Sequence, residues 1–142
     1  MDKKNIEIIK QVVKGFKKKG FNWNQINEIV EGLERKIDVS VYANPKFNED
    51  QMREIRYGLE RNVDVSKYAD PKFSWAQMFE ISLGLKNGVD VDKYADPKFT
   101  PTQMEVIREN LDRGISAKIY TNPNLGDKEM QEIRKRVPEL EI

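Results

Sequence analysis

Few side chains in this sequence are suited to catalysis or to binding a transition metal. The 142 residues include no histidine and no cysteine. Zinc sites built from those residues, histidine general bases, cysteine nucleophiles and disulfides are therefore excluded. Carboxylate and lysine chemistry remains, but the sequence has no glycine-rich phosphate loop and no paired constellation of such groups. We predict a protein that is not an enzyme and has no cofactor.

Three aspartates come closest to a metal-binding pattern. Asp90, Asp92 and Asp96 have the spacing of part of a calcium loop. The central glycine of such a loop is missing, and Pro101 occupies the position that should supply a bidentate glutamate. Short acidic side chains in such runs also cap helices and turns. The sequence therefore predicts capping here and no metal site.

Lysines are concentrated at the amino terminus. Residues 1–20 carry seven lysines against Asp2 and Glu7, a net charge of +5 in a chain whose total is +1. Such a segment can bind nucleic acid or an acidic partner, although a solvated helix face is the commoner explanation. Nucleic-acid binding is therefore the alternative function, with Arg56, Arg108 and Arg134 as further cations. Its candidate contacts are Lys10, Lys14, Lys17, Lys18 and Lys19.

One segment carries a second set of apolar side chains. Trp75, Phe79 and Leu83 follow at intervals of four residues, which places them on one face of a helix. The residues 26 positions earlier and later are mostly polar. This face either packs on a neighbouring part of the chain or binds a partner, since aromatic residues dominate interface energetics. The candidate contacts with a protein partner, or with a second copy, are Trp75, Phe79, Leu83 and Tyr57.

These residues belong to a pattern that repeats every 26 positions without insertion. The segment KYADPKF, for example, occurs twice, beginning at Lys67 and at Lys93. An internal repeat of this length is typical of stacked structural units. The recurring residues are Phe21, Phe47, Phe73, Phe99 and Leu125; Ile26, Met52, Met78, Met104 and Met130; Ile29, Ile55, Ile81, Ile107 and Ile133; Tyr42, Tyr68, Tyr94 and Tyr120; and Pro45, Pro71, Pro97 and Pro123.

Each unit has the residues needed to begin and end one helix. Ser74 stands three residues before Gln77, the spacing of a capping box, and Phe73 and Met78 flank them as a hydrophobic staple. A helix of about 13 residues follows, and Gly88 suits the left-handed residue that ends it. An aspartate then caps one short helical turn, which the next proline stops.

Two recurring positions have both a structural and a functional explanation. Gly32, Gly58 and Gly84 lie inside the predicted helices although glycine weakens a helix. Close approach of a neighbouring backbone is the favoured explanation, and contact with a ligand is the alternative. The recurring tyrosines either stack on nucleic-acid bases or lie in the core with hydrogen-bonded hydroxyl groups. Because a tyrosine recurs at the same position in every unit, the core location is the favoured explanation.

The sequence thus predicts an all-α fold. We expect a short helical repeat array of about 4.5 units, each with one three-turn helix and one short helical turn, in a compact, solenoid-like single domain over residues 1–142. Neighbouring units must stack, because each has an apolar face that it cannot bury alone. Residues 1–20 form a basic lead-in helix, the full units are 21–46, 47–72, 73–98 and 99–124, and residues 125–142 form a half unit.

The segment GLERNVDVSKYADPKFSWAQMFEISLGLKNGVDVDKYADPKF resembles a family of tandem helical repeats of the pattern GLDVSxYADPxFxxxQMxxIR. Such repeats occur in uncharacterised proteins of anaerobic bacteria and their mobile elements. The resemblance covers residues 21–137. It implies the helical repeat fold and, by association alone, a role linked to mobile elements or host defence.

The leading interpretation is a non-catalytic interaction module that binds a protein partner. Self-association through the same face stays an open alternative, as does nucleic-acid binding through the lysine-rich helix. No apolar run reaches membrane-spanning length, and the first residues have no signal-peptide core. We therefore predict no membrane partner and a cytoplasmic location.

Overall fold

The protein is built from helices, as a computed structural model describes them for residues 2–114 and 122–140. These residues contain no strand, so the predicted all-α class is confirmed. Three short 3-10 helices, Val39–Val41, Val65–Lys67 and Val91–Lys93, follow the second, third and fourth α-helices. The α-helices are α1 (Lys3–Lys18), α2 (Trp23–Glu34), α3 (Glu49–Glu60), α4 (Trp75–Lys86), α5 (Pro101–Asp112) and α6 (Asp127–Leu140).

The beginnings of α2 to α5 are fixed by reciprocal caps. In α4 the backbone N–H of Gln77 donates to the Ser74 hydroxyl at 3.2 Å. In return, the backbone N–H of Ser74 donates to the Gln77 side-chain oxygen at 2.9 Å. This arrangement satisfies two donors of the first turn that have no partner within the helix. The predicted capping boxes are confirmed at Asn22/Gln25, Asn48/Gln51, Ser74/Gln77 and Thr100/Gln103.

Each of these helices is 12 residues long and is followed by a left-handed residue. Gly88 and Gly114 have φ values of 75° and 74°, and Asn62 has 58° at the equivalent place. Lys36 adopts the same conformation (φ 59°) although it has a Cβ atom, which the sequence analysis did not foresee. The predicted aspartate caps of the short helical turns are also present, at Asp38, Asp64 and Asp90.

The core is one continuous cluster within a compact single domain. It contains the staple residues Phe73 and Met78, the stripe residue Ile81, and their counterparts in the other units. Each α-helix contacts the next along the chain, from α1 to α6. Helix α1 begins at Lys3, because the Asp2 carboxylate caps it by accepting a hydrogen bond from the Asn5 backbone N–H at 2.8 Å.

The capping glutamines also join one unit to the next. The Gln77 side-chain nitrogen donates to the carbonyl oxygens of Pro97 (3.2 Å) and Phe99 (2.7 Å). Gln25, Gln51 and Gln103 make the equivalent pairs of bonds. A glutamate would satisfy the cap equally well, but it has no such donor. The glutamine is therefore needed for the contact between units.

The glycines inside the helices make room for tyrosines. A Cβ atom at Gly32, Gly58 or Gly84 would overlap the hydroxyl oxygen of a buried tyrosine in the same unit and would lie within 2.8 Å of a valine methyl. The prediction of a neighbouring backbone is thus wrong, because the approaching atoms belong to side chains. The prediction of core tyrosines is confirmed for Tyr42, Tyr68 and Tyr94, which are fully buried. Tyr120 lies outside the described residues.

Candidate partner-binding face

Helix α4 presents Trp75 and Phe79 to solvent. Their side chains are 50% and 40% exposed, whereas Leu83, one turn further on, is half-buried. The core side of the same helix carries Met78 and Ile81, which are fully buried. The helix is therefore apolar on two faces, and only one of them is covered by the described part of the chain. We call Trp75, Phe79 and Leu83 the outer face of α4.

The neighbouring helices have polar side chains at the positions of the outer face. On α3, Arg53 occupies the position of Phe79 in the preceding unit and forms ion pairs with Asp50 at 3.1 Å and with Glu28 of α2 at 2.9 Å. On α5, Glu105 occupies the same position in the following unit and is half-buried. The outer face of α4 thus lies between polar surfaces, as the rim of a binding site does in many interfaces.

The fourth candidate contact, Tyr57 of α3, lies in a different environment. Its side chain is half-buried. The guanidinium carbons of Arg56 and Arg61 lie 4.9 Å and 5.5 Å from its ring centroid, within the range of cation–π attraction. Arg61 in turn borders Phe79 and Leu83. The two parts of the predicted contact set are therefore joined through an arginine that the sequence analysis did not select.

Buried ion pairs join neighbouring helices at equivalent places. Between α2 and α3 the Arg56 side chain, only 6% exposed, donates to Glu28 at 3.2 Å. Between α4 and α5, Arg108 donates to Glu80 at 2.9 Å. The pairs join equivalent turns of successive helices, and Arg35 reaches Glu60 near the far ends of α2 and α3 at 3.2 Å. Helices α2 and α3 therefore run in the same direction.

The contact between α3 and α4 departs from this pattern. Ser82 occupies the position of Arg56 and Arg108, and Glu54 occupies the position of Glu28 and Glu80. Glu54 is half-buried and forms no ion pair with the described residues. Burial raises the pKa of its carboxyl group above the usual value. The pair of helices that lacks the arginine, α3 and α4, therefore includes the helix that carries the outer face.

A small notch lies where that arginine is missing. It has a volume of about 130 Å³ and is lined by Arg61 of α3 and by Phe79, Ser82, Leu83 and Lys86 of α4. Ser82 is buried, while Arg61 and Lys86 are exposed. We call this pocket the Ser82 notch. It is continuous with the outer face, because Phe79 and Leu83 belong to both.

The lysine-rich helix α1 adjoins the second tryptophan. Trp23 is 56% exposed, and the Lys17 amino group lies 3.8 Å from its ring centroid. Lys19 lies 6.0 Å from the Phe16 ring, and Lys10 pairs with Glu7 at 3.5 Å. The structure therefore brings part of the predicted lysine set to an exposed aromatic ring. Trp23 stands two units before Trp75 and was not among the predicted contact residues.

The arginines proposed to assist nucleic-acid binding are engaged within the fold. Arg56 and Arg108 form the ion pairs between helices described above, and both have largely buried side chains. Arg134 of α6 contacts Glu109 at 3.0 Å. The side chains of Arg56 and Arg108 are therefore little exposed to a phosphate backbone, whereas that of Arg134 is partly exposed.

A second apolar groove lies at the amino-terminal end, between α1 and α2. It has a volume of about 570 Å³, and Ile8, Ile9, Val12 and Leu33 line its apolar part. Ile8 and Leu33 are exposed. A Cβ atom at Gly15 on α1 would meet nothing within 4 Å, since no tyrosine segment follows α1 as one follows α2. This groove is larger than the Ser82 notch but less enclosed.

Comparisons with protein-family models, with curated proteins and with solved structures each found no match. Among the side chains described for residues 2–114 and 122–135, no group of three or more acidic residues is arranged to hold a metal ion. Within the same ranges, no helix is both long and apolar enough to cross a bilayer.

Proposed function

We propose that the protein is a non-catalytic interaction module whose outer face of α4 binds a protein partner. The observation that carries this proposal is the exposure of Trp75 and Phe79 on a helix whose other face is already buried in the core. Large aromatic side chains of this kind supply much of the binding energy of protein interfaces. Exposing them without a partner brings no gain in stability, since their apolar area stays in water.

We propose further that the chain is a helical repeat array of the tandem-repeat type that its sequence resembles. The recurrence of the capping boxes, of the glutamine bridges and of the tyrosine–glycine contacts from one unit to the next supports this arrangement. In such an array the shared residues stack the units, and the residues that differ are available for binding. The cytoplasmic location and a link to mobile elements stay predictions of the sequence.

Removal of one whole unit tests the array. A chain without residues 73–98 keeps every remaining position in register, so it should fold cooperatively with correspondingly less helix by circular dichroism. The same chain lacks the outer face and should not bind the partner. A deletion of half a unit, residues 73–85, is the control and should not fold. Unfolding of the whole-unit deletion would contradict the array.

A double substitution tests the binding face. Trp75→Glu with Phe79→Arg changes both residues to those of the preceding unit and should alter the free energy of unfolding by less than about 0.5 kcal/mol, as exposed positions usually do. Affinity capture from the source cell, read by quantitative mass spectrometry, should lose its specific protein. Trp23→Glu is the matched control, because Trp23 has the same place on α2 and similar exposure.

Two results would contradict the proposed face. If the double variant unfolds far more readily than the wild type, the two aromatic residues support the fold rather than a partner. If it captures the same proteins as the wild type, the face is not used. Sedimentation of both proteins over a range of concentrations shows whether the partner is a second copy of the chain.

The second candidate is single-stranded nucleic acid at α1, which the contact between Lys17 and Trp23 favours. An exposed aromatic ring beside lysines can stack on a base while the cations contact phosphates. Binding of an oligonucleotide should weaken steeply as salt increases and should be lost in Trp23→Ala and in a Lys14/Lys17/Lys18 variant changed to glutamine. Absence of binding at low salt would eliminate this candidate.

A further inference from the structure

Building on the proposed protein-binding function, we propose that the Ser82 notch receives an apolar side chain from an acidic peptide segment of the partner, with the carboxylates of that segment contacting Arg61 and Lys86. The proposal thus specifies both the anchoring point on α4 and the chemistry of the occupant.

The first support is the break in the row of arginines. Arg56 occupies the space between α2 and α3, and Arg108 occupies the equivalent space between α4 and α5. Ser82 has a much smaller side chain at the same place between α3 and α4, and it is itself buried. The space therefore corresponds to the smaller side chain at the position that Arg56 and Arg108 occupy, and Phe79 of the outer face lines it.

The second support is the lining of the notch. Phe79 and Leu83 supply the apolar part of its lining, and Ser82 is a further lining residue. The volume of about 130 Å³ suits one aliphatic or aromatic side chain, since an apolar protein cavity of about 150 Å³ holds a benzene molecule. Anchor residues of protein interfaces commonly fill pockets of this kind, at the centre of the contact area.

The third support is the charge of the rim. Arg61 and Lys86 both line the notch and are exposed, and neither forms an ion pair with another side chain in residues 2–114 and 122–135. Both stand at helix ends, Lys86 as the last residue of α4 and Arg61 as the residue that caps α3. Two cations beside an apolar pocket complement an apolar residue flanked by aspartate or glutamate.

The half-buried carboxylate of Glu54 makes the occupant's charge testable. Glu54 stands on α3 beside the position of Ser82, where Glu28 contacts Arg56 in the preceding pair of helices. It disfavours a nearby acidic peptide, so Glu54→Gln should strengthen binding of the proposed occupant. If the partner instead supplied an arginine to replace the missing one, the same substitution would weaken binding.

The central test fills the notch with the residue that its neighbours carry. Ser82→Arg places a guanidinium opposite Glu54, as Arg56 is placed opposite Glu28, and should fold at least as well as the wild type. A library of random peptides displayed on phage is selected against the wild-type protein. The enriched peptides should combine an apolar residue with adjacent acidic residues and bind Ser82→Arg at least about tenfold more weakly, the effect of losing one anchor residue.

Charge reversal at the rim is the second arm, and it does not depend on the folding of Ser82→Arg. Arg61→Glu with Lys86→Glu should weaken the selected peptides by about tenfold or more. Arg113→Glu is the matched control, because Arg113 caps α5 as Arg61 caps α3 and is equally exposed. It should leave peptide affinity unchanged. Binding of the wild type should weaken as salt increases, and the double variant should show less of this dependence.

The proposal is overturned if no peptide is enriched, if the enriched peptides are basic or uncharged, or if Ser82→Arg and the rim variant bind them as the wild type does. Loss of partner capture in Trp75→Glu with Phe79→Arg, together with full peptide binding by Ser82→Arg, would show that the face is used and that the notch is not. Unchanged binding in both variants would contradict the face and the notch alike.

Discussion

The hydroxyl oxygen of Tyr94 lies so close to Gly84 that a Cβ atom at position 84 would overlap it. The hydroxyl donates a hydrogen bond at 2.8 Å to the carbonyl oxygen of Glu80, one turn before the glycine on the same helix. This contact ties the returning chain to the helix that precedes it. The helix accepts a residue of poor helix propensity at its centre because the tyrosine needs the space.

Substitution of this glycine should therefore destabilise the protein. Gly84→Ala should lower the free energy of unfolding by about 1–3 kcal/mol, the usual cost of overpacking a core, although alanine favours the helix. Gly15→Ala is the matched control, because Gly15 lies within α1 with open space around it. It should raise stability by up to about 1 kcal/mol. Urea unfolding measures the free energy of unfolding of both variants. Equal changes in the two would contradict the explanation that Gly84 makes room for Tyr94.

The glutamine bridge separates capping from the contact between units. Gln77→Glu keeps an acceptor for the Ser74 amide but replaces the donor to Pro97 and Phe99 by a carboxylate oxygen. We expect a loss of about 2 kcal/mol at neutral pH, since the buried hydrogen bond to Phe99 and the partly buried one to Pro97 are both lost. Glu129→Gln on α6 is the control at the equivalent position and should change stability by less than about 0.5 kcal/mol. If Gln77→Glu leaves the free energy of unfolding unchanged, only the capping hydrogen bonds of Gln77 contribute to stability.

Two glutamates at equivalent positions should respond in opposite ways to the same substitution. Glu28→Gln leaves Arg56 without its partner on α2 and should cost about 2–3 kcal/mol. Glu54→Gln removes a half-buried charge that has no arginine opposite it and should raise stability by about 0.5 kcal/mol, a modest gain because water screens a half-exposed group. Thermal and urea unfolding at neutral pH measure both effects.

The pH dependence of Glu54→Gln follows from the raised pKa of the wild-type carboxyl group. The folded state binds the Glu54 proton more tightly than the unfolded chain does, so stability is lost as pH rises through the pKa of the folded state. The advantage of the glutamine variant should accordingly be present at neutral pH and vanish as pH falls below about 4.5, the ordinary value of the group. An advantage that grows on acidification would contradict this assignment.

The buried tyrosines predict a loss of stability at alkaline pH. Burial raises the pKa of Tyr68 to about 12 and raises those of Tyr42 and Tyr94 as well. Their neutral hydroxyl groups stabilise the fold at and below about pH 10, where tyrosine ionises in an unfolded chain, and this contribution is lost as pH rises further. Tyr94→Phe should cost about 1 kcal/mol at neutral pH and show a smaller alkaline loss than the wild type.

Much of the local structure was predictable because it depends on neighbours in the sequence. The capping box of Ser74 and Gln77 needs only the right residues three positions apart, and Gly88 ends its helix because it adopts a positive φ at little cost. Because the sequence repeats every 26 residues, each local prediction made for one unit applied to the others. Tyr94 was assigned to the core because it recurs in this way. The prediction that a backbone approaches Gly84 was wrong, because the spacing of residues does not show which atoms approach a helix.

The candidate site was only partly predictable, since exposure depends on how successive helices pack. The sequence by itself determined the all-α class, the helix boundaries and the apolar stripe of Trp75, Phe79 and Leu83. It left open whether that stripe is covered, because a covered and an exposed apolar face have the same helical spacing. The tertiary structure decided this by leaving Trp75 and Phe79 in solvent, and it placed Ser82 in line with Arg56 and Arg108, a relationship that exists only once neighbouring helices lie side by side.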